Sequence, residues 1–469
     1  MTQTTLSRPW KLAKGFLFGG GLLAVGLVLQ LTMGPLDWSL FAAPVNGIML
    51  VLLLGFLLLM FLLRKSVYAF EWMMHGQAAV AAIAWALGIT LIMGLLPQTR
   101  EGGVPWLSQM LTFWPFVMIW TWMMVISGLA TINHLLRFKL KEIPFLLNHL
   151  GVFVAIVAAT LGSADVQKLQ MTVAYENPEW RALSDDYGVV EPGFTIELHQ
   201  FTVENYENLM PRRFASDISV ITDDGKDLRG TVEVNKPLKV NGWKVYQYGY
   251  DVSMGSHSPY SVFLLVKDPW LPAVYVGIFL MLAGALTLIF LRHASRQKWV
   301  LLAALLQTAF FTFLTVSRMG PSARALPPAL QSPWFIPHLI VYMAGYALLA
   351  TATLLAVYQL LRKTDAQMDI TDSLVYAGLA FLSVGMLFGA LWAKEAWGHY
   401  WAWDPKETWA AITWLCYLLY LHFRNIRPME WRRSCWILLL AFVCLQICWW
   451  GINYLPSAQG LSIHTYNVN

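Results

Sequence analysis

Eleven runs of apolar residues, each long enough to cross a bilayer, decide most of what this chain can fold into. They lie near residues 15–33, 45–63, 77–96, 113–132, 145–163, 270–291, 299–317, 334–361, 373–393, 406–423 and 434–453. A spanning helix needs about 17–25 such residues. In hydrocarbon the backbone must satisfy its own hydrogen bonds, so runs of this length read as helices. Composition agrees, with 13% charged residues against about 25% in soluble chains. Arg8, Lys11 and Lys14 precede the first run, which is long for a signal peptide and has no small-residue cleavage site after it, so it reads as a retained helix. The expected fold class is a polytopic α-helical membrane protein of about eleven spans with one β-rich domain.

That domain is the stretch 164–268, which is not apolar. It alternates as strands do, for example Phe194-Thr-Ile196-Glu-Leu198, Ile218-Ser-Val220-Ile221, Val232-Glu-Val234 and Ser261 to Val266. Asp224-Gly225 and Asn241-Gly242 separate such runs. The expected divisions are membrane helices over 1–163, the β-rich domain over 164–268, and a second membrane domain over 269–469.

Orientation follows from the short loops. Arg64 and Lys65, then Arg137, Lys139 and Lys141, then Arg292, Arg296 and Lys298, then Arg362 and Lys363, then Arg424, Arg427, Arg432 and Arg433 all fall on one side. The rule makes that side cytoplasmic, with the N-terminus inside and the C-terminus, the β-rich domain and the 393–405 loop outside. The net charge of +5 is spread between apolar runs rather than gathered in a patch, so nucleic acid is not an expected partner; lipid is. Cys416, Cys435, Cys444 and Cys448 contain no C-x-x-C spacing and read as buried, inert thiols.

The chemistry-bearing signal is Trp392-Ala-Lys-Glu-Ala-Trp397-Gly-His-Tyr400-Trp401-Ala-Trp403-Asp404-Pro405-Lys406-Glu407-Thr-Trp409. Interfacial tryptophans form belts, and Asp404, Pro405 and Glu407 make a good helix start, as N-cap, first-turn proline and capping-box partner. Four indoles at Trp392, Trp397, Trp401 and Trp403 point further, to a shelf for a flat apolar ligand. Histidine in or beside a span is a functional candidate, and paired imidazoles suit haem iron. His149, near the start of the fifth run, and His422, near the end of the tenth, fall towards the cytoplasmic face. His338, opening the eighth run, and His464, in the tail, fall outside. His75, His134 and His293 read as helix-end residues, His199 and His257 as surface residues of the β-rich domain, and His399 as a weaker candidate within the tryptophan loop.

The tryptophan segment, with Leu421-His422-Phe423-Arg424 after it, resembles the WWD signature of CcsA-type cytochrome c assembly proteins. Ser332-Pro-Trp334-Phe-Ile-Pro-His338 resembles that family's first outer histidine motif, and Gly451-Ile-Asn453-Tyr-Leu-Pro with His464 its second. Asn148-His149-Leu150-Gly151, Val234-Asn235-Lys-Pro237-Leu238, Gly242-Trp-Lys-Val-Tyr246-Gln247 and Lys267-Asp268-Pro269 resemble the ResB-type partner. The whole is similar to the fused system II cytochrome c synthases, over roughly residues 140–469. The chain is short for that group, and about two of the spans before His149 have no clear counterpart in the partner subunit.

The resemblance implies a multi-pass protein of the bacterial inner membrane that exports haem b and joins it to the Cys-x-x-Cys-His motif of apocytochrome c, a holocytochrome c synthase. It implies that His149 and His422 hold haem iron at an inner site. It makes His338 and His464 the outer ligands and the catalytic pair, over Trp392, Trp397, Trp401, Trp403 and Asp404. Apocytochrome c, haem and thiol-reducing thioredoxin-like proteins are the expected partners. Two other readings stay open: a haem carrier serving a separate ligase, and a b-type electron-transfer subunit, against which the tryptophan loop and β-rich domain argue.

Overall fold

The computed structural model describes residues 11–99, 104–208, 210–291 and 326–458, with isolated positions between 302 and 313. Ten of the eleven apolar runs lie within them, and each forms a long helix; the run at 299–317 lies largely outside them. In order the helices are α1 (Leu12–Met33), α2 (Val45–Leu63), a short α3 (Tyr68–Met73), α4 (Gly76–Leu95), α5 (Trp114–Leu135), α6 (Ile143–Gly162), α7 (Leu271–Leu291), α8 (Phe335–Arg362), α9 (Met368–Trp397), α10 (Pro405–Ile426) and α11 (Trp431–Trp449). Among the described residues, nine helices are long and apolar enough to span a membrane. Leu52 and Leu62 of α2 and Leu354 and Leu361 of α8 stay exposed, as lipid-facing side chains do. The chain is a multi-pass helical membrane protein with a β-rich region between its helices. The helix missing from those nine is α10, whose Trp409, Ile412, Tyr417 and Tyr420 are fully enclosed by other helices. Protein, rather than lipid, is its main solvent, and so it tolerates Thr408, Thr413 and Arg424.

The β-rich region is built from antiparallel strands: β1 (Gln167–Ala174), β2 (Ala182–Ser184), β3 (Val189–Val190), β4 (Phe194–Asn205), β5 (Pro211–Thr222), β6 (Asp227–Glu233), β7 (Leu238–Val240), β8 (Trp243–Tyr250) and β9 (Tyr260–Lys267). One sheet has the order β3-β2-β1-β9-β8-β7 and the other β4-β5-β6. Leu169, Met171 and Val173 of β1 and Phe263 and Leu265 of β9 alternate inward to meet Phe194, Ile196, Ile218 and Val220 of the smaller sheet. Asn241 and Gly242 both have positive φ, 45° and 83°, the two-residue primed turn expected of Asn-Gly between β7 and β8.

The β1–β9 ladder runs from Gln167 opposite Lys267 to Ala174 opposite Tyr260. Since β1 follows α6 and β9 precedes α7, this ladder brings those two helices out of the sheet side by side. Asp165 locks the junction by accepting hydrogen bonds from the Ala43 backbone N–H, the Asn46 amide and the Trp270 indole at 2.8, 2.7 and 2.8 Å.

Candidate functional site

Helix α6 leaves the sheets at Gly162, so His149 lies towards its far end. Helix α10 starts beside the sheets at Pro405 and ends at Ile426, so His422 lies at the same far level. The two rings face each other 6.3 Å apart, with planes at 66°. Each Nδ1 is held by its own helix: His149 Nδ1 lies 2.9 Å from the Phe145 carbonyl, and His422 Nδ1 lies 2.8 Å from the Leu418 carbonyl. A carbonyl only accepts, so both Nδ1 atoms donate and the lone pair sits on Nε2, the arrangement of a metal-binding histidine. Metal–imidazole bonds are about 2 Å and the ring centre lies roughly 1 Å beyond the nitrogen, so imidazoles on opposite faces of one iron sit roughly 6 Å apart.

Local packing holds this pair. Phe145 stacks on His149 at 3.7 Å and on His134 at 3.8 Å, while His134 meets Glu142 at 3.0 Å. His134 thus lies in the last turn of its helix, hydrogen-bonded to Glu142 and within the same stack. Arg424 grips Asp372 at 2.8 Å, and Tyr420 donates to the same carboxylate at 2.7 Å, fixing the end of α10 two residues either side of His422.

At the sheet end, α9 continues to Trp397, four residues past the expected end of its apolar run at 393. It can do so because both charges in its last turn are paired. Lys394 reaches Asp268 at 3.2 Å and the Gly398 carbonyl at 3.0 Å, and Glu395 accepts from the Trp334 indole at 3.0 Å. Gly398 then ends the helix at φ 79°, where a Cβ would meet Val266 and Tyr246 of the sheet. Burial pushes the Tyr246 and Tyr400 hydroxyls well above the usual phenol range, so both stay protonated.

Trp392 and Trp397 thus belong to α9, and the loop proper is 398–404. The four indoles fall into two groups. Trp392 packs with Trp397, Phe335 and His338 at 5.0, 5.0 and 5.7 Å. His338 itself donates from Nδ1 to the Gly385 carbonyl at 2.8 Å and rests on Gly389, where any Cβ would come within 2.9 Å of its ring. Trp401 and Trp403 meet edge to face at 5.8 Å and turn instead towards α5, where Phe116 and Trp120 approach Trp403 at 5.8 and 5.6 Å.

The capping box forms as the residue types predict. Asp404 accepts from the Glu407 backbone N–H at 2.8 Å, and Glu407 accepts from Ala402 and Asp404 backbone N–H groups at 2.7 and 3.4 Å. Between those two donors sits Trp403, held at φ 57°, a backbone region that bulky side chains rarely adopt. Thr408 Oγ1 donates to its carbonyl at 3.0 Å.

A cleft of about 1040 Å³ lies between α5, α6 and the tryptophan loop, and His149, His422, His338, Trp392 and Trp397 are not among its lining residues. Its lining includes Val152, one turn from His149 on α6, Met124 and Trp120 of α5, Trp401 and Trp403 of the loop, and Lys168 and Asp186 of the β-rich region. A smaller cavity of about 460 Å³ lies on the other side of Trp403, against His399, Asp404 and Ser457. His464 and His293 lie outside the described residues. Cys416, Cys435, Cys444 and Cys448 are free and buried, with Cys416 Sγ 3.8 Å from Cys444 Sγ.

Phe116, Trp120, Phe145 and Asp372 fall in no motif of the sequence, and although Lys394 and Asp268 each fall in one, their pairing does not show there. A lysine closing an apolar run is the one local signal among them, because such a charge requires a partner.

Residues 137–258 match the ResB-like family, and residues 270–458 match the family described as cytochrome C assembly protein. The chain is 38% identical over 176 residues to the cytochrome c biogenesis protein CcsA of Chlamydomonas reinhardtii, covering 35% of this chain and 48% of that one. It is 34% identical over 196 residues to the CcsA of Synechococcus sp. (strain CC9605), covering 34% and 63%. It is 33% identical over 200 residues to the CcsA of Mesostigma viride, covering 35% and 64%. The chain thus spans from about half to just under two thirds of the length of these relatives. Helices α1 to α5 lie outside both matched ranges. One polypeptide carries a ResB-like segment followed by a cytochrome C assembly segment, and this order, with the similarity to CcsA proteins, supports a fused ResB/CcsA protein of system II.

Proposed function

We propose that this protein serves cytochrome c biogenesis as a holocytochrome c synthase of the bacterial inner membrane, taking haem b as substrate from the cytoplasmic face and joining it to apocytochrome c outside. The observation that carries the reading is the His149–His422 pair, 6.3 Å apart with both Nδ1 atoms committed to backbone carbonyls. Two Nε2 lone pairs are thereby left for one iron. The family matches, one running from α6 through most of the β-rich region and the other over α7 to α11, support the same chemistry.

In this reading haem enters between His149 and His422 and leaves along the cleft towards Trp401 and Trp403. His338 and His464 then hold the iron at the outer site, beside Trp392 and Trp397, while Asp404 fixes the loop that carries the indoles. The reaction adds each cysteine S–H across a haem vinyl C=C: sulfur bonds to one vinyl carbon, hydrogen to the other, and no electrons are gained or lost. The protein contributes alignment and exclusion of water, since the ring and the thiols hold the reacting groups. Thioredoxin-like proteins would keep those thiols reduced. The β-rich region over 164–268 would act as the outer domain, with the C-terminus on its side and the N-terminus cytoplasmic.

Co-expression with an apocytochrome, in a host lacking its own assembly system, tests the proposal. Covalent cytochrome is expected, and His338→Ala or His464→Ala should reduce it strongly while some haem stays bound. Haem-loaded protein with no covalent product would identify a carrier serving a separate ligase; a protein that purifies without haem would overturn both readings.

A further inference from the structure

Helix α5 lies outside both matched family ranges, yet it meets the most constrained residue of the tryptophan loop. Trp403 holds a left-handed backbone at φ 57°. Its peptide is clamped on both sides by Glu407, and its ring is met edge-on by Phe116 at 5.8 Å, Trp120 at 5.6 Å and Trp401 at 5.8 Å. Strain of this kind persists only where the surroundings over-determine it, and it concentrates at ligand clamps. Phe116, Trp120 and Met124 stand along the face of α5 that lines the cleft, and Trp120 lies at the level where Trp401 and Trp403 close it from the opposite side.

We infer that Trp120, with Phe116, is a positioning residue for haem: it holds the Trp403 ring in its strained setting and forms the wall against which the macrocycle slides between the His149–His422 level and the outer loop. The N-terminal helices would then belong to the haem path itself, rather than serving only as membrane anchors. This rests on the haem-handling function proposed above. The chemistry fits a flat, aromatic, largely apolar cargo, because indole and phenyl rings set edge to face give a smooth wall that binds such a plane without fixing it at one point.

The same helix supplies an internal control. Trp122, two residues on, is as large and is buried, but it packs on Phe18 of α1 at 5.0 Å, away from the cleft. Replacing it removes a comparable amount of packing from α5 without touching the cleft wall.

The test uses the full chain, co-expressed with an apocytochrome, with two readouts: the visible spectrum of the haem that copurifies, and the yield of covalent cytochrome per folded protein. Trp120→Leu, which retains apolar bulk, and Trp120→Ala should lower covalent yield roughly tenfold through misplacement of the ring and shift the bound-haem spectrum. Trp120→Phe should restore most of both, while Trp122→Leu should leave both close to those of the unchanged protein. The inference is overturned if Trp120→Leu behaves like the unchanged protein, or if Trp122→Leu falls as far. If the unchanged protein carries no haem, the haem reading falls and this inference with it; if it carries haem that His149→Ala with His422→Ala removes, yet Trp120→Leu is silent, only this inference falls.

Discussion

Lys394, in the last turn of α9, and Asp268, at the entry to α7, pair at 3.2 Å with side chains 2% and 6% exposed. The pair joins the exit of β9, between the two matched ranges, to the last turn of α9, which leads into the tryptophan loop. A buried ion pair contributes little over a well-packed apolar pair, but removing one partner leaves an uncompensated charge, at a cost of about 3–5 kcal/mol. Asp268→Leu should therefore lower the thermal midpoint of the detergent-purified protein markedly. Adding Lys394→Met should recover most of the loss. No shift in the single variant, or no recovery in the double, would show that the pair does not hold α9 to the β-rich region.

His149 and His422 should act as one unit in binding haem. Each tautomer is set by its own backbone carbonyl, so His149→Ala leaves His422 correctly oriented but able to supply only one axial ligand. Haem per protein should fall in either single variant, and the double variant should fall little further, because the two changes remove one shared site. His257→Ala, in the exposed Gly255–His257 turn of the β-rich region, should change nothing. Full haem in the double variant would mean that loading occurs elsewhere.

Asp404 separates a capping role from a charge role. Its carboxylate accepts the Glu407 N–H at the start of α10, and asparagine caps about as well as aspartate, whereas alanine costs about 0.5–2 kcal/mol. Asp404→Asn should keep the thermal midpoint and the covalent yield, and Asp404→Ala should lower both. If Asp404→Asn retains stability but loses yield, the charge itself contacts the substrate.

Acid should loosen the β-rich region in a way that depends on Arg213. This guanidinium donates to Glu233 at 2.6 Å and to Glu204 at 2.9 Å, and it holds the Glu233 carboxyl below the ordinary carboxylate range. A depressed carboxyl contributes stability that is present above its unfolded pKa and is lost as pH falls through the folded value. Arg213→Ala should therefore reduce hydrogen-exchange protection of β5 and β6 most at neutral pH. The gap to the unchanged protein should close as pH falls below the ordinary carboxylate range, where Glu233, held low by Arg213, takes up its proton. A gap that stays constant or widens in acid would show that Arg213 acts through packing instead.

Much of this protein was legible from local pattern. Apolar run length marks helices because hydrocarbon offers the backbone no other partner, and it located α1, α2 and α4 through α11. Alternation marked β4, β5 and β9, and Asn241-Gly242 marked its own turn, because side-chain period and φ preference are properties of a few neighbouring residues. The Asp404–Glu407 capping box was legible for the same reason. Local pattern did not reveal how far α9 runs, since its last turn depends on Asp268, a residue distant in sequence. Nor did it divide the four indoles, because Trp403 turns towards α5 only when that helix stands beside it. The facing of His149 and His422 was likewise a tertiary decision. The sequence by itself put both at the same level of the membrane, while the β1–β9 ladder and the packing of α6 and α10 decided that their rings would meet. Hydropathy acts along one segment at a time, and distances between segments arise only when their side chains compete for the same space.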